Sequence, residues 1–135
     1  MNTADLRISP FQNFLRVELV RADNGSVVIR MPDRSELQRV PGSNQLHGGV
    51  VGALIDIAGS YAVELKTGSD APTVDLRIDY LRSAASELIA TAAVIKHGKT
   101  LCVADVEVRD EQKRLVAVGR GTFMNTTGNH SLQKG

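Results

Sequence analysis

The sequence predicts an α+β domain in which one antiparallel sheet of about six strands covers a single long central helix. Three observations carry that expectation. Residues 48–65 alone space their apolar side chains at intervals of three and four; the segments around them alternate apolar and polar residues; and the elements run hairpin, helix, then a strand-rich half. At 135 residues the chain fits one domain, expected to span residues 1–124.

Residues 8–15 read as a short helix or turn, packing as a lid over an edge of the core. Leu15, Val17 and Leu19, then Val27, Ile29 and Met31, alternate with polar residues around Asp23-Asn24-Gly25, a hairpin signal, and Pro32 ends the second strand. Residues 33–46 dissolve into charge with Pro41-Gly42 and Ser43-Asn44, a long loop of the kind that carries function. The helix follows, with Val50, Leu54, Ile57, Tyr61 and Leu65 as one buried stripe. Thr67-Gly68-Ser69-Asp70-Ala71-Pro72 stops it. Val74, Leu76, Ile78 and Tyr80 then alternate with Thr73, Asp75, Arg77 and Asp79 in a half-buried strand. Further strands are expected at 88–96 and 100–109, joined at His97-Gly98-Lys99, and at 115–124. The polar tail from Asn125 onward is expected to be disordered. One helix cannot cover both faces of such a sheet, so apolar strand surface left outside predicts burial by another subunit.

Composition excludes several classes of function. Sixteen basic and 15 acidic residues leave a net charge of +1 with no long basic run, so nucleic acid is not an expected partner. Aromatics make up 4% and Trp is absent, which removes a stacking platform. Cys102, the only cysteine, sits in an apolar strand pattern and reads as a small buried hydrophobe, so neither an intrachain disulfide nor a thiolate cluster is available. No His or acid stands at metal-ligand spacing, and no cofactor is expected. No segment reads as a membrane span or signal peptide, which gives the cytoplasm as the expected address.

The chemistry concentrates at the helix. Leu46-His47-Gly48-Gly49 opens it, and a glycine pair at a helix start leaves backbone N–H groups open to an oxyanion. Asp56, two turns on, is flanked by Leu54-Ile55 and Ile57-Ala58. Its neighbours at i−4, i+3 and i+4 are Gly52, Gly59 and Ser60, all small. Such a set serves either close approach of the sheet or a slot with an acid at its floor. Taken alone, His47 reads as structural.

These residues carry a resemblance. The run from Leu46 to Asp56 resembles the helix-opening motif of hotdog-fold acyl-CoA thioesterases, in the phenylacetyl-CoA thioesterase-like branch of the 4-hydroxybenzoyl-CoA thioesterase family. Thr73-Val74-Asp75-Leu76-Arg77-Ile78-Asp79-Tyr80-Leu81-Arg82 resembles its next strand, and Gly98-Lys99-Thr100-Leu101 through Glu107-Val108-Arg109-Asp110 its later hairpin. The resemblance implies a sheet wrapped around one helix, dimers with a shared sheet, a homotetramer of two such dimers, and active sites at the dimer interface. It implies that the Gly48 amide polarises the thioester carbonyl while Asp56 of the other subunit is nucleophile or general base. Thr73 matches a hydroxyl position that orients the attacking water, and Ser60 matches another branch's hydroxyl, so the two compete for that role. The sequence departs from the family where an Asn or Gln often stands six residues before the motif's His. Here that position is Pro41, with Asn44 or Gln45 as substitutes from the same loop.

The expected function is hydrolysis of a small or medium acyl-CoA, aromatic acyl groups included. Gly49 is expected to line the substrate site, and Arg82, Lys96, His97 and Lys99 to hold the phosphates of coenzyme A. Two rivals stand beside it: a non-catalytic acyl-CoA-binding module, and a hotdog enoyl-thioester hydratase with His47 as base.

Overall fold

The computed structural model describes Leu6 and residues 9–128. Helix α1 (Pro10–Leu15) starts on Ser9, whose side chain accepts from the Gln12 amide, has Pro10 in its first turn, and ends where Arg16 turns left-handed at φ 59°. Strands β1 (Glu18–Asp23) and β2 (Ser26–Met31) form the hairpin, with Gly25 at φ 79°. The 33–46 loop contains a short 3-10 turn (Ser35–Leu37) and a bridge between Gln38 and Leu46 that brings the chain back to the helix start. Helix α2 (Gly48–Thr67) is followed by β3 (Thr73–Tyr80), β4 (Leu88–His97), β5 (Leu101–Arg109) and β6 (Leu115–Met124).

The six strands form one antiparallel sheet in the order β1-β2-β4-β5-β6-β3, with α2 packed against its inner face. Among the described residues, strand β3 pairs only with β6, from Thr73 opposite Phe123 to Tyr80 opposite Ala117, so its other edge is open there. Val74 and Tyr80 on this edge strand are 55% and 54% exposed. Open edges with apolar side chains invite a second strand.

Helix α2 does not bury one stripe, as its spacing predicts. Val51, Gly52, Leu54, Ile55, Ile57, Ala58, Gly59, Tyr61, Ala62 and Val63 are all buried, an arc of about two-thirds of the circumference at 100° per residue. The sheet curls around the helix, so residues of several faces meet strands. Val50 and Leu65 of the expected stripe are only partly buried. What stays open is a narrow stripe holding Asp56, Ser60 and Glu64. The helix is also long and apolar enough to cross a membrane by length and composition, which the sequence reading did not expect; the burial of most of it within the sheet makes it a core helix.

The small residues have a packing cause. A Cβ on Gly59 would lie 2.9 Å from Cζ of the buried Phe123, and one on Gly52 would lie 3.0 Å from Cδ1 of Ile78. From the sheet side, a Cβ on Gly119 would meet Cγ2 of Ile55 at 2.6 Å. Close approach of helix and sheet, rather than a slot, therefore accounts for Gly52 and Gly59. Phe123 packs with Val63, Ala71, Cys102 and Ala104 in a cluster at the C-terminal end of α2, where Cys102 is buried as expected.

The outside of the sheet mixes charge with apolar surface: Arg120 is held by Asp105 at 2.6 Å and Arg30 lies between Glu18 and Glu87, while Val20, Val74, Ile95 and Leu101 are exposed on their strands, as expected of surface left for another subunit. One further expectation changes. The ordered chain runs past Met124. Asn125 and Thr126 are buried, with Asn125 Nδ2 donating to the Gly98 carbonyl and Thr126 Oγ1 to that of Asp70. The disorder expected from Asn125 onward therefore does not hold for residues 125–128, and residues 129–135 lie outside the described residues.

Candidate active site

His47 is the N-cap of α2. Its Nδ1 accepts from the Gly49 amide at 2.8 Å, and its own amide donates to the Leu37 carbonyl at 2.8 Å. The side chain thereby satisfies one of the orphan donors of the first turn and ties the helix start to the 33–46 loop. With Nδ1 accepting, a neutral ring carries its proton on Nε2. Gly48, the first residue of the helix, has an amide with no intrahelical acceptor, at the positive end of the helix dipole. Gly49's amide is occupied by the cap, so of the glycine pair Gly48 is the one whose N–H has no partner among the described residues.

A cavity of about 370 Å³ adjoins this turn, lined by Gly48, Leu46, Val51, Tyr80, Arg82 and Ala84 among others. Arg82, directly after β3, is exposed there, and its amide donates to the Val116 carbonyl. The Tyr80 hydroxyl donates to the Gly48 carbonyl at 2.7 Å. Sequence reasoning counted Tyr80 only as an inward strand residue; the signal that could have found it is a phenol at the end of an alternating strand, with two glycines four apart on the helix to receive it.

Asp56 is half-buried on the open stripe of α2, and its Oδ1 accepts from Thr73 Oγ1 at 2.6 Å. Ser60, the competing hydroxyl, donates to the Ala71 carbonyl at 3.0 Å. Its hydrogen is committed to holding the segment that delivers Thr73. One turn further, Glu64 faces Asp70: burial, the Asp70 charge and a hydrogen bond between the two carboxyls push its pKa up to about 7.

Other expected site residues are not gathered here by one chain. Lys96, His97 and Lys99 lie at the β4–β5 turn, beside residues 124–125, which is the Thr73 end of β3. Arg82 lies at the Tyr80 end. Asn44, in a left-handed conformation at φ 59°, is exposed in the loop, and Gln45 bonds through its backbone to Arg39 and Ser43. Neither side chain has a bond to Asp56 among the described residues. No group of three His, Cys, Asp or Glu that could hold a metal ion occurs among the described residues.

Gly48 and Asp56 are eight residues apart, about 12 Å along a helix rising 1.5 Å per residue. One chain therefore has an amide donor at one end of β3 and a carboxylate at the other, too far apart to act on the same carbonyl group.

The chain belongs to the thioesterase superfamily, whose family model matches residues 44–117, and its architecture is the hotdog fold of thioester hydrolases. Among its relatives, acyl-coenzyme A thioesterase 13 of Pongo abelii is 34% identical over 112 residues, covering 79% of this chain and 78% of that one. The medium/long-chain acyl-CoA thioesterase YigI of Escherichia coli is 28% identical over 131 residues, 85% and 84% of the two chains. The solved structure of the E. coli PaaI protein, from the phenylacetic acid degradation operon, is similar with a TM-score of 0.82 at 28% identity, over 90% of this chain and 88% of that one.

Proposed function

We propose that the protein hydrolyses small or medium acyl-CoA thioesters, aromatic acyl groups included, at sites built by two copies of the chain. The observation that carries the reading is that β3 anchors a different half-site at each end: Thr73 bonds to Asp56, and Tyr80 bonds to Gly48. An isologous antiparallel pair formed through the open β3 edge sets the Thr73 end of one copy beside the Tyr80 end of the other. That pairing supplies each thioester carbonyl with a Gly48 amide from one copy and an Asp56 carboxylate from its partner. Two such dimers then make the homotetramer.

In this reading the Gly48 N–H stabilises the negative charge on the thioester oxygen as water, activated by Asp56, adds to the carbonyl carbon. If Asp56 itself attacks, an acyl-enzyme anhydride forms and water then opens it. Either way the C–S bond breaks and coenzyme A leaves as a thiolate that takes up a proton. The Thr73 hydrogen is given to Asp56, so its oxygen is left to accept from the attacking water. His47 acts by shaping the helix start. The same pairing brings Arg82 of one copy toward Lys96, His97 and Lys99 of the other, a cationic rim suited to the phosphates of coenzyme A. Asn44, Gln45 and Gly49 border the acyl end.

The test is a panel of straight-chain and aromatic acyl-CoAs, with released thiol as readout, on the wild-type protein and on Asp56→Asn. Release by the wild type that the variant loses supports the reading. Tight binding without release by the wild type gives the protein to the acyl-CoA-binding alternative, and hydration of an enoyl-CoA that depends on His47 gives it to the hydratase alternative.

A further inference from the structure

We propose that Tyr80 is a positioning residue for the oxyanion-binding turn, acting through the Gly48–Gly49 peptide group; the inference rests on the thioesterase reading above. That one peptide is held at both ends. Its carbonyl, on Gly48, accepts the Tyr80 hydroxyl at 2.7 Å, and its N–H, on Gly49, donates to His47 Nδ1 at 2.8 Å. The result is a continuous hydrogen-bonded relay from Tyr80 through the peptide to the imidazole, in which each bond polarises the next. A helical carbonyl in this place ordinarily bonds only the amide four residues on, and its second lone pair takes the phenol.

The helix surface is shaped to admit the phenol. A Cβ on Gly48 would lie 3.6 to 3.7 Å from the Tyr80 ring and hydroxyl, in ordinary contact, whereas one on Gly52 would stand 3.3 Å from the hydroxyl oxygen. Gly52 therefore gives the hydroxyl its path to the carbonyl, and the ring lies along the first turn of α2. Tyr80 also lines the cavity beside Gly48 and Arg82, so the relay runs along the wall of the space that would hold the thioester. The Gly48 amide belongs to the preceding peptide, and its direction depends on the backbone angles at Gly48. Glycine is the residue least able to fix those angles by itself. The Tyr80 bond supplies the constraint that the side-chain-free turn lacks. In a site where donors must be aimed before charge develops, that constraint acts on kcat rather than on substrate affinity.

Tyr80→Phe keeps the ring against the helix and deletes only the hydroxyl. The expected result is a fall in kcat of about three- to tenfold, the range one neutral hydrogen bond supports, with KM within about twofold of wild type. In the ¹⁵N spectrum the Gly49 amide should shift, because its nitrogen belongs to the peptide whose carbonyl loses a donor, while Gly68 and Gly128 stay in place. Gly52→Ala, whose methyl would meet Ile78 Cδ1 at 3.0 Å and the Tyr80 hydroxyl at 3.3 Å, should lower kcat and cost less in the Tyr80→Phe background than in the wild type. An unchanged kcat in Tyr80→Phe, a rise in KM alone, or a lowered melting temperature with normal kinetics each overturns the positioning role. Failure of the thioesterase reading is distinguishable: the wild-type protein then releases no coenzyme A from any acyl-CoA, and the positioning role falls with it.

Discussion

Thr73 Oγ1 donates a 2.6 Å hydrogen bond to Oδ1 of Asp56, joining the first residue of the edge strand to the middle of the core helix. The bond fixes one carboxylate oxygen of a side chain on the open stripe of the helix. It also ties the acid to the strand edge through which a second copy would pair, so that in the proposed dimer one element would serve both assembly and catalysis.

Thr73→Val removes that bond from an exposed strand position and should leave the fold intact. A hydrogen bond to a charged group is worth about 1.5 to 3 kcal/mol, so kcat is expected to fall by roughly tenfold or more. Thr73→Ser, which keeps the hydroxyl, should retain most of the rate. Steady-state kinetics on the two variants checks this: full activity in Thr73→Val would contradict the role of the hydroxyl, and equal loss in both would show that the hydroxyl alone does not account for it.

Gly48→Pro deletes the proposed oxyanion donor without deleting the helix. Proline is well tolerated at the first helical position, and His47 before it sits at φ −63° and ψ 136°, a conformation suited to a pre-proline residue. Loss of one oxyanion donor typically costs about 2.7 to 4 kcal/mol, a factor of about 10² to 10³ in kcat. Circular dichroism should report an unchanged helix content beside that loss.

Glu64 predicts a pH dependence of stability with a definite sign. Burial first, then the charge of Asp70 and the hydrogen bond to it, raise its pKa from 4.5 to about 7. Between those values the native state holds a proton that the unfolded chain has released, so this group's contribution falls as pH rises through that window and is level above it. Glu64→Gln mimics the protonated form. Its melting temperature relative to wild type should therefore rise from pH 5 to pH 8, and a constant difference would contradict the upward shift that burial and Asp70 together give Glu64.

Gly59→Ala should destabilise the protein even though alanine favours helices by roughly 1 kcal/mol. The new methyl would meet the fully buried Phe123 ring at 2.9 Å, where overpacking costs about 1 to 3 kcal/mol. Urea unfolding at fixed pH measures the net change.

Much of this was legible in the sequence because local pattern and tertiary demand agree. Alternation from Thr73 to Tyr80 marks a real strand with the same bounds, and the glycine pair with Gly68 at the far end brackets α2 closely. What local pattern could not show is which strand curls over which helix face. The single-stripe reading of α2 failed for that reason, and the choice between close approach and a slot at Gly52 and Gly59 stayed open, since Ile78, Tyr80 and Phe123 that fill their space are distant in sequence. The choice between Ser60 and Thr73 likewise depended on how residues 70–73 cross the helix: Ser60 meets the Ala71 carbonyl, and Thr73 meets Asp56. Tyr80 escaped notice because its role is a bond to backbone, which leaves no mark in side-chain spacing.

The central claim, that each site takes its acid from one copy and its oxyanion donor from another, is tested most directly by complementation. Asp56→Asn and Gly48→Pro are each expected to be inactive. Co-expressed in equal amounts and allowed to assemble at random, they should recover about a quarter of the wild-type activity, because about one site in four then draws Asp56 from the proline variant and Gly48 from the asparagine variant. Mixed assemblies, shown by two different affinity tags, that remain as inactive as either parent would contradict the two-chain site.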